Sequence, residues 1–131
     1  MIVFFTDRNL GKRFGLRLRA LGLTVEIHDD HLPQDALDET VLRLVAKRGW
    51  VLLTLDEQMR YRPAEKEAIL RHGAAVIHLK TSKKWPLPSL ADHFAAHVVR
   101  VERFLKRNPP PLFAIYRIDS KGKLKLKRKS L

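Results

Sequence analysis

The sequence predicts an α/β fold: a three-layer sandwich around a mainly parallel sheet of four to five strands, then a C-terminal hairpin or single strand with a basic extension. Three observations predict it. Short runs rich in β-branched and aromatic residues alternate with stretches of helical period, four times in succession. One of those runs, "WVLLTL" at 50–55, is apolar on both faces, as central parallel strands are. The 131 residues suit one compact domain with one core.

The first strand is "IVFFT" (2–6), and "LGKRFGLRLRALG" follows it with Leu10, Phe14, Leu18 and Leu21 on one helical stripe, closed by Gly22. "LTVEIH" (23–28) reads as the second strand. "ALDETVLRLVAKRG" places Leu37, Val41, Leu44 and Val45 on a common face and ends at Gly49. After the third strand, 50–55, "RPAEKEAILRHG" begins with Pro63 in its first turn and ends at Gly73. "AAVIHL" (74–79) is the fourth strand. Beyond the loop "KTSKKWPLP", one long helix is expected from about Ser89 to Arg107, with Ser89 and Asp92 as a capping box and "NPPP" as its stop. "LFAIYRI", the turn "DSKG" and "KLKLK" complete the chain. The expected organisation is a single domain over 1–118 and a basic extension over 119–131, within which 121–131 is the one segment of low complexity.

The net charge of +12 is unevenly placed. Residues 1–67 carry 11 Lys/Arg and 11 Asp/Glu, whereas residues 68–131 carry 15 against three, Asp92, Glu102 and Asp119. A polyanion is the natural partner of such a half, because every phosphate neutralised releases condensed counterions; a solubilising surface with a frayed tail is the plainer alternative. No apolar run approaches the roughly 18 residues of a bilayer span, no helix pairs a lysine-rich face with a strong apolar one, and the N-terminal run has no cleavage-site pattern. With no cysteine there is neither a disulfide framework nor a thiolate metal site, and a cytoplasmic location without membrane contact is the expectation.

In open α/β sheets, sites form at the carboxyl ends of the strands. "FFTD" places Asp7 at such an end and "LLTLD" places Asp56 at another. If the two strands are adjacent, the carboxylates repel and need a cation or a proton between them; a hard divalent ion, Mg²⁺ or Mn²⁺, suits an all-oxygen site. "ALDET" offers Asp38 and Glu39 at a helix start beside the same edge, although first-turn acids are also routine partners of the helix dipole. Asp7, Asp38 and Asp56 stand at three equivalent topological points.

These blocks, "FFTDRNLG", "LDETVL" and "GWVLLTLDEQMRYRPAE", resemble those of PIN-like domains, above all the compact branch related to VapC-type toxins. Over about residues 1–80, Asp7, Asp38 and Asp56 match that family's three acids and Thr54 the threonine of its "T-x-D". "RYRPAE" is similar to the arginine-rich turn with a following acid, which makes Glu65 a fourth acid. Arg8 stands where some relatives carry a second acid, and no acid after residue 67 matches the further one of larger members. The resemblance implies a metal-dependent ribonuclease, often the toxin of a toxin–antitoxin pair, so RNA is the expected substrate and an antitoxin or a second copy of the chain the expected protein partner. One or two ions at Asp7, Asp38 and Asp56, with Glu65, would activate water and stabilise charge on the attacked phosphate. Thr54 would orient a carboxylate, and Arg8, Arg60 and Arg62 are the candidate phosphate contacts.

Other chemistries fit less well. "DRN" lacks the second acid of a D-x-D phosphatase, there is no G-x-G, and no serine lies in a G-x-S-x-G elbow. His93 and His97 lie four apart and "HDDH" clusters His28 to His31, but transition-metal sites need three or four convergent ligands. A non-catalytic module of the same fold that binds nucleic acid or docks a partner is the alternative, and three carboxylates in one cleft argue against it by repelling phosphate.

Overall fold

Six strands form one sheet in the order β2–β1–β3–β4–β5–β6. The computed structural model describes residues 1–80, 82 and 84–131, so Thr81 and Lys83 of the loop after β4 lie outside the described residues. β1 (Phe4–Thr6) pairs in parallel with β2 (Val25–Ile27) on one side and β3 (Val51–Thr54) on the other. β4 (Ala75–Lys80) and β5 (Leu112–Ile118) extend the parallel sheet, and β6 (Leu124–Lys129) closes it antiparallel to β5. The stretch expected as a basic extension thus supplies a turn and the sixth strand, and the sheet has two strands more than the four read before the hairpin.

Alternating side chains bury the two faces separately. Phe4, Leu53, Ile77 and Tyr116 pack under α1 (Lys12–Ala20), α4 (Leu87–Ala96) and α5 (Val98–Arg107). Phe5, Leu52, Val76 and Phe113 pack under α2 (Asp38–Arg48) and α3 (Pro63–His72). Helix α1 sits close on the sheet because it has no side chain at Gly15, where a Cβ would fall 2.7 Å from Ile27 Cγ1 and 2.9 Å from Thr6 Oγ1. Gly49 and Gly73 end α2 and α3 in left-handed backbone (φ 70° and 72°), the conformation that glycine adopts without a Cβ penalty.

Four local expectations are corrected. The single helix over Ser89–Arg107 is two helices, broken at His97, whose imidazole takes up the His93 carbonyl (Nδ1 to O 2.8 Å). Asp92 forms no capping box with Ser89, because both its oxygens bind Arg17 at 2.7 Å, tying α4 to α1. On α2 Val41 and Val45 face inward as expected, with Leu42 beside them and Leu44 partly buried on the same core, while Leu37, just before the helix, is 72% exposed. Leu21 is likewise exposed past the end of α1, leaving Leu10, Phe14 and Leu18 as the buried stripe.

Candidate functional site

The chain leaves β1 for β2 on one side and leaves β3 for β4 on the other, so the order reverses between β1 and β3. The crevice outside the carboxyl ends at such a reversal is where α/β sheets place their sites. Asp7 follows β1 there and Asp56 follows β3, while Asp38 and Glu65 come from the first turns of α2 and α3. Four acids from four elements therefore meet at one edge.

Thr54 is the hub that fixes two of them. Its hydroxyl, fully buried, donates to Asp7 Oδ2 at 2.8 Å and accepts from Asn9 Nδ2 at 2.9 Å and from the Asp56 backbone N–H at 3.1 Å. One donor and two lone pairs are all in use. The carboxylate it orients is Asp7, and its hold on Asp56 runs through that residue's backbone. Asn9 completes the clamp, its Oδ1 accepting the Leu55 N–H at 3.1 Å. Asp7 is 4% exposed and also accepts the Arg8 N–H at 2.9 Å.

The other three acids gather on one guanidinium. Arg62 Nη2 donates to Asp56 Oδ2 and, at 3.5 Å, to Asp38 Oδ2, while Nε donates to Glu65 Oε1 at 3.2 Å. Asp38 is not a helix cap: its hydrogen bonds run to Arg62 and to Arg8 Nη2 at 3.3 Å. Burial pushes the Asp38 carboxyl above the ordinary carboxylate range; Asp7 adds to this, Arg8 opposes it, and Glu65 and Asp56 add further. The other three acids thus act electrostatically on Asp38, and a positive group is drawn among Asp38, Asp56 and Glu65. Among the described residues no three His, Asp or Glu side chains are already gathered in metal-binding geometry.

The remaining residues expected at the site divide. Glu39 turns outward to Arg71 at 2.7 Å, so Glu65 is the fourth acid of the cluster. Arg8 holds the carbonyls of Gln34 (2.9 Å) and Ala36 as well as Asp38, which anchors the segment entering α2. Arg60 lies away from the acids, over the Tyr61 ring at 4.1 Å. The histidine pairs are structural neighbours: His93 Nδ1 meets Tyr116 Oη at 2.6 Å and Nε2 meets the Gly122 carbonyl at 3.0 Å, and His31 meets Glu26 at 2.9 Å.

Sequence reasoning missed Asn9, whose only signal is its place two residues after Asp7. It also missed His78, the one polar residue within the apolar run of β4, paired in register with Thr54. His78 is 3% exposed, its Nδ1 has no hydrogen-bond partner, and burial lowers its pKa, with Glu57 and Asp56 opposing and Lys80 assisting.

A family model described as a PIN-like domain matches residues 2–81, a span that holds all four acids, Thr54 and Asn9. No curated protein and no solved structure matches the chain.

Proposed function

The chain belongs to the PIN-like domain family, a nuclease-type fold, and from that premise we propose that it is a Mg²⁺- or Mn²⁺-dependent endoribonuclease. The observation that carries the reading is the convergence of Asp38, Asp56 and Glu65 on a single positive group, with Asp7 clamped beside them. All donors are carboxylate oxygens, the chemistry of a hard divalent ion. The guanidinium of Arg62 sits where that charge would, and the all-carboxylate donor set supports a hard divalent ion in its place. When bound, the ion supplies a water of lowered pKa and stabilises charge on the attacked phosphate.

The chain's own residues do the rest. Thr54 and Asn9 fix Asp7, and Arg8 fixes the approach of α2 and with it Asp38. Arg62, once relieved of the acids, is placed to grip the substrate phosphate in a bidentate contact. Water adds to phosphorus, the P–O bond to one ribose breaks, and that oxygen leaves with a proton. A pure binding module gains nothing from these acids, since they repel phosphate. The resemblance of the acid-bearing blocks to the VapC-related branch supports a role as the toxin of a toxin–antitoxin pair.

The test uses purified protein and mixed RNA, with Mn²⁺ or Mg²⁺ and then with EDTA, beside Asp7→Asn and Asp56→Asn. Cleavage is expected with metal and lost with chelator and in both variants. RNA binding without cleavage under every metal condition overturns the enzyme and leaves the binding module. Growth arrest on expression, relieved by Asp56→Asn, separates a toxin from a housekeeping nuclease.

A further inference from the structure

Part of the excess positive charge of the second half is gathered on one face of the sheet, while Arg100, Arg103, Lys106 and Arg107 lie on α5. On β5 and β6 the side chains facing α4 and α5 are buried (Leu112, Ala114, Tyr116, Leu124), but the opposite face opens to solvent after Phe113. That face carries Arg117, Lys125, Lys127 and Lys129, with Lys80 beside them at the end of β4. These side chains line a cavity of about 670 Å³ that also takes in Glu57 and Arg60 and reaches Leu124, Leu126 and, on α5, Arg100. Glu57 and Arg60 belong to the short 3-10 turn that Asp56 caps, its Oδ1 accepting the Gln58 N–H at 3.0 Å. The basic face and the acid cluster therefore adjoin across one turn.

We propose that this open face of β5 and β6 is the seat of the RNA strand, binding its phosphate backbone and delivering it over the 57–60 turn to the acids. Lysines on an edge strand also serve to block edge-to-edge pairing, and that role accounts for Lys125 and Lys127. It does not account for Arg117 and Lys80, which lie inward of the edge on β5 and β4. Residues alternating along one strand repeat about every 6.8 Å, a spacing suited to successive phosphates of an extended single strand. Arg60 offers a further positive group whose buried Nε has no partner. It covers one face of the Tyr61 ring, and that ring is 54% exposed, a platform of the kind on which bases stack. An acidic protein segment would use the charges but has no call on the exposed ring.

The destination of the strand rests on the nuclease reading, but binding to the face does not, so the two are tested apart. Anisotropy of a fluorescein-labelled single-stranded RNA is followed with the full chain in EDTA. Arg117→Glu/Lys125→Glu/Lys127→Glu is compared with a control of equal charge change on exposed residues of α1 and α2, Lys12→Glu/Arg43→Glu/Lys47→Glu. The face variant is expected to bind at least tenfold more weakly, with the slope of log affinity against log salt reduced by about two, as three lost phosphate contacts on a single strand require. The control is expected to stay within about threefold, and Tyr61→Ala to lose about fivefold. Equal losses in both triple variants, or none in either, overturn the proposal, as does binding of polyglutamate to the face in place of RNA. Failure of the wild type to cleave in Mn²⁺ while the face variant still loses binding overturns the nuclease reading alone.

Discussion

Replacing Thr54 by valine keeps the shape of a fully buried side chain and removes only its hydroxyl. The lost bond to the Asp7 carboxylate, 2.8 Å long, belongs to the class of hydrogen bonds to charged groups, about 1.5–3 kcal/mol. The Asp56 N–H, 3.1 Å from the hydroxyl, also loses its acceptor, adding about 1 kcal/mol at a half-buried position. Asn9 recovers part of its bond through Asp7 Oδ2, already 3.4 Å away. The expected cost is therefore about 2–4 kcal/mol, enough to weaken a domain of this size without unfolding it. Thr54→Ser makes the opposite change, keeping the hydroxyl and dropping a methyl group worth about 1 kcal/mol. Urea denaturation should rank wild type above Thr54→Ser and Thr54→Val last, and RNA cleavage should fall in the same order because Asp7 and Asp56 lose their alignment. A valine variant as stable as wild type, or more stable than the serine variant, would refute the hub.

Arg62→Gln removes the positive group that the acids share. It should lower stability in EDTA and tighten Mn²⁺ binding by about tenfold in calorimetry, since the ion no longer displaces a guanidinium; weaker binding would contradict this. Gly15→Ala should cost about 1–2 kcal/mol in urea denaturation, because the contacts of 2.7 and 2.9 Å to Ile27 and Thr6 outweigh the better helix propensity of alanine; a gain in stability would show that α1 can lift off the sheet at no cost. Burial lowers the pKa of both His93 and His78. Above the unfolded value of about 6.5 both states are neutral, and as pH falls below it only the unfolded chain takes up the protons readily, so stability is lost towards acid. The Tm measured from pH 8 to pH 5 should fall below about pH 6.5, less steeply in His93→Gln; a Tm that rises towards acid contradicts the sign.

The parallel sheet and three of the acids were legible because strand period, glycine caps and the position of an acid after an apolar run are local signals. "FFTD" and "LLTLD" show their strand ends directly, and β1 and β3 are indeed neighbours. Asp38 was legible as a helix-start acid, but its partners Arg8 and Arg62 lie 30 and 24 residues away, beyond any local pattern. For the same reason Arg62 read as a phosphate contact and not as the group the acids share. Asn9 was invisible because its work is done across strands, on Leu55 and Thr54. The division of α4 from α5 at His97 was hidden because neither glycine nor proline marks it. The basic tail read as low complexity, yet all six residues of 124–129 are placed by register pairing with β5.

The proposed nuclease activity requires the acids to form one divalent-ion site. Mn²⁺ titration of the chelator-stripped protein, followed by electron paramagnetic resonance of the free ion, tests this most directly. Saturable uptake is predicted for the wild type and a loss of at least tenfold in affinity for Asp56→Asn and for Asp38→Asn, but no change for Glu39→Gln, whose carboxylate faces Arg71. Absence of uptake by the wild type, or equal uptake by wild type and Asp56→Asn, would contradict it.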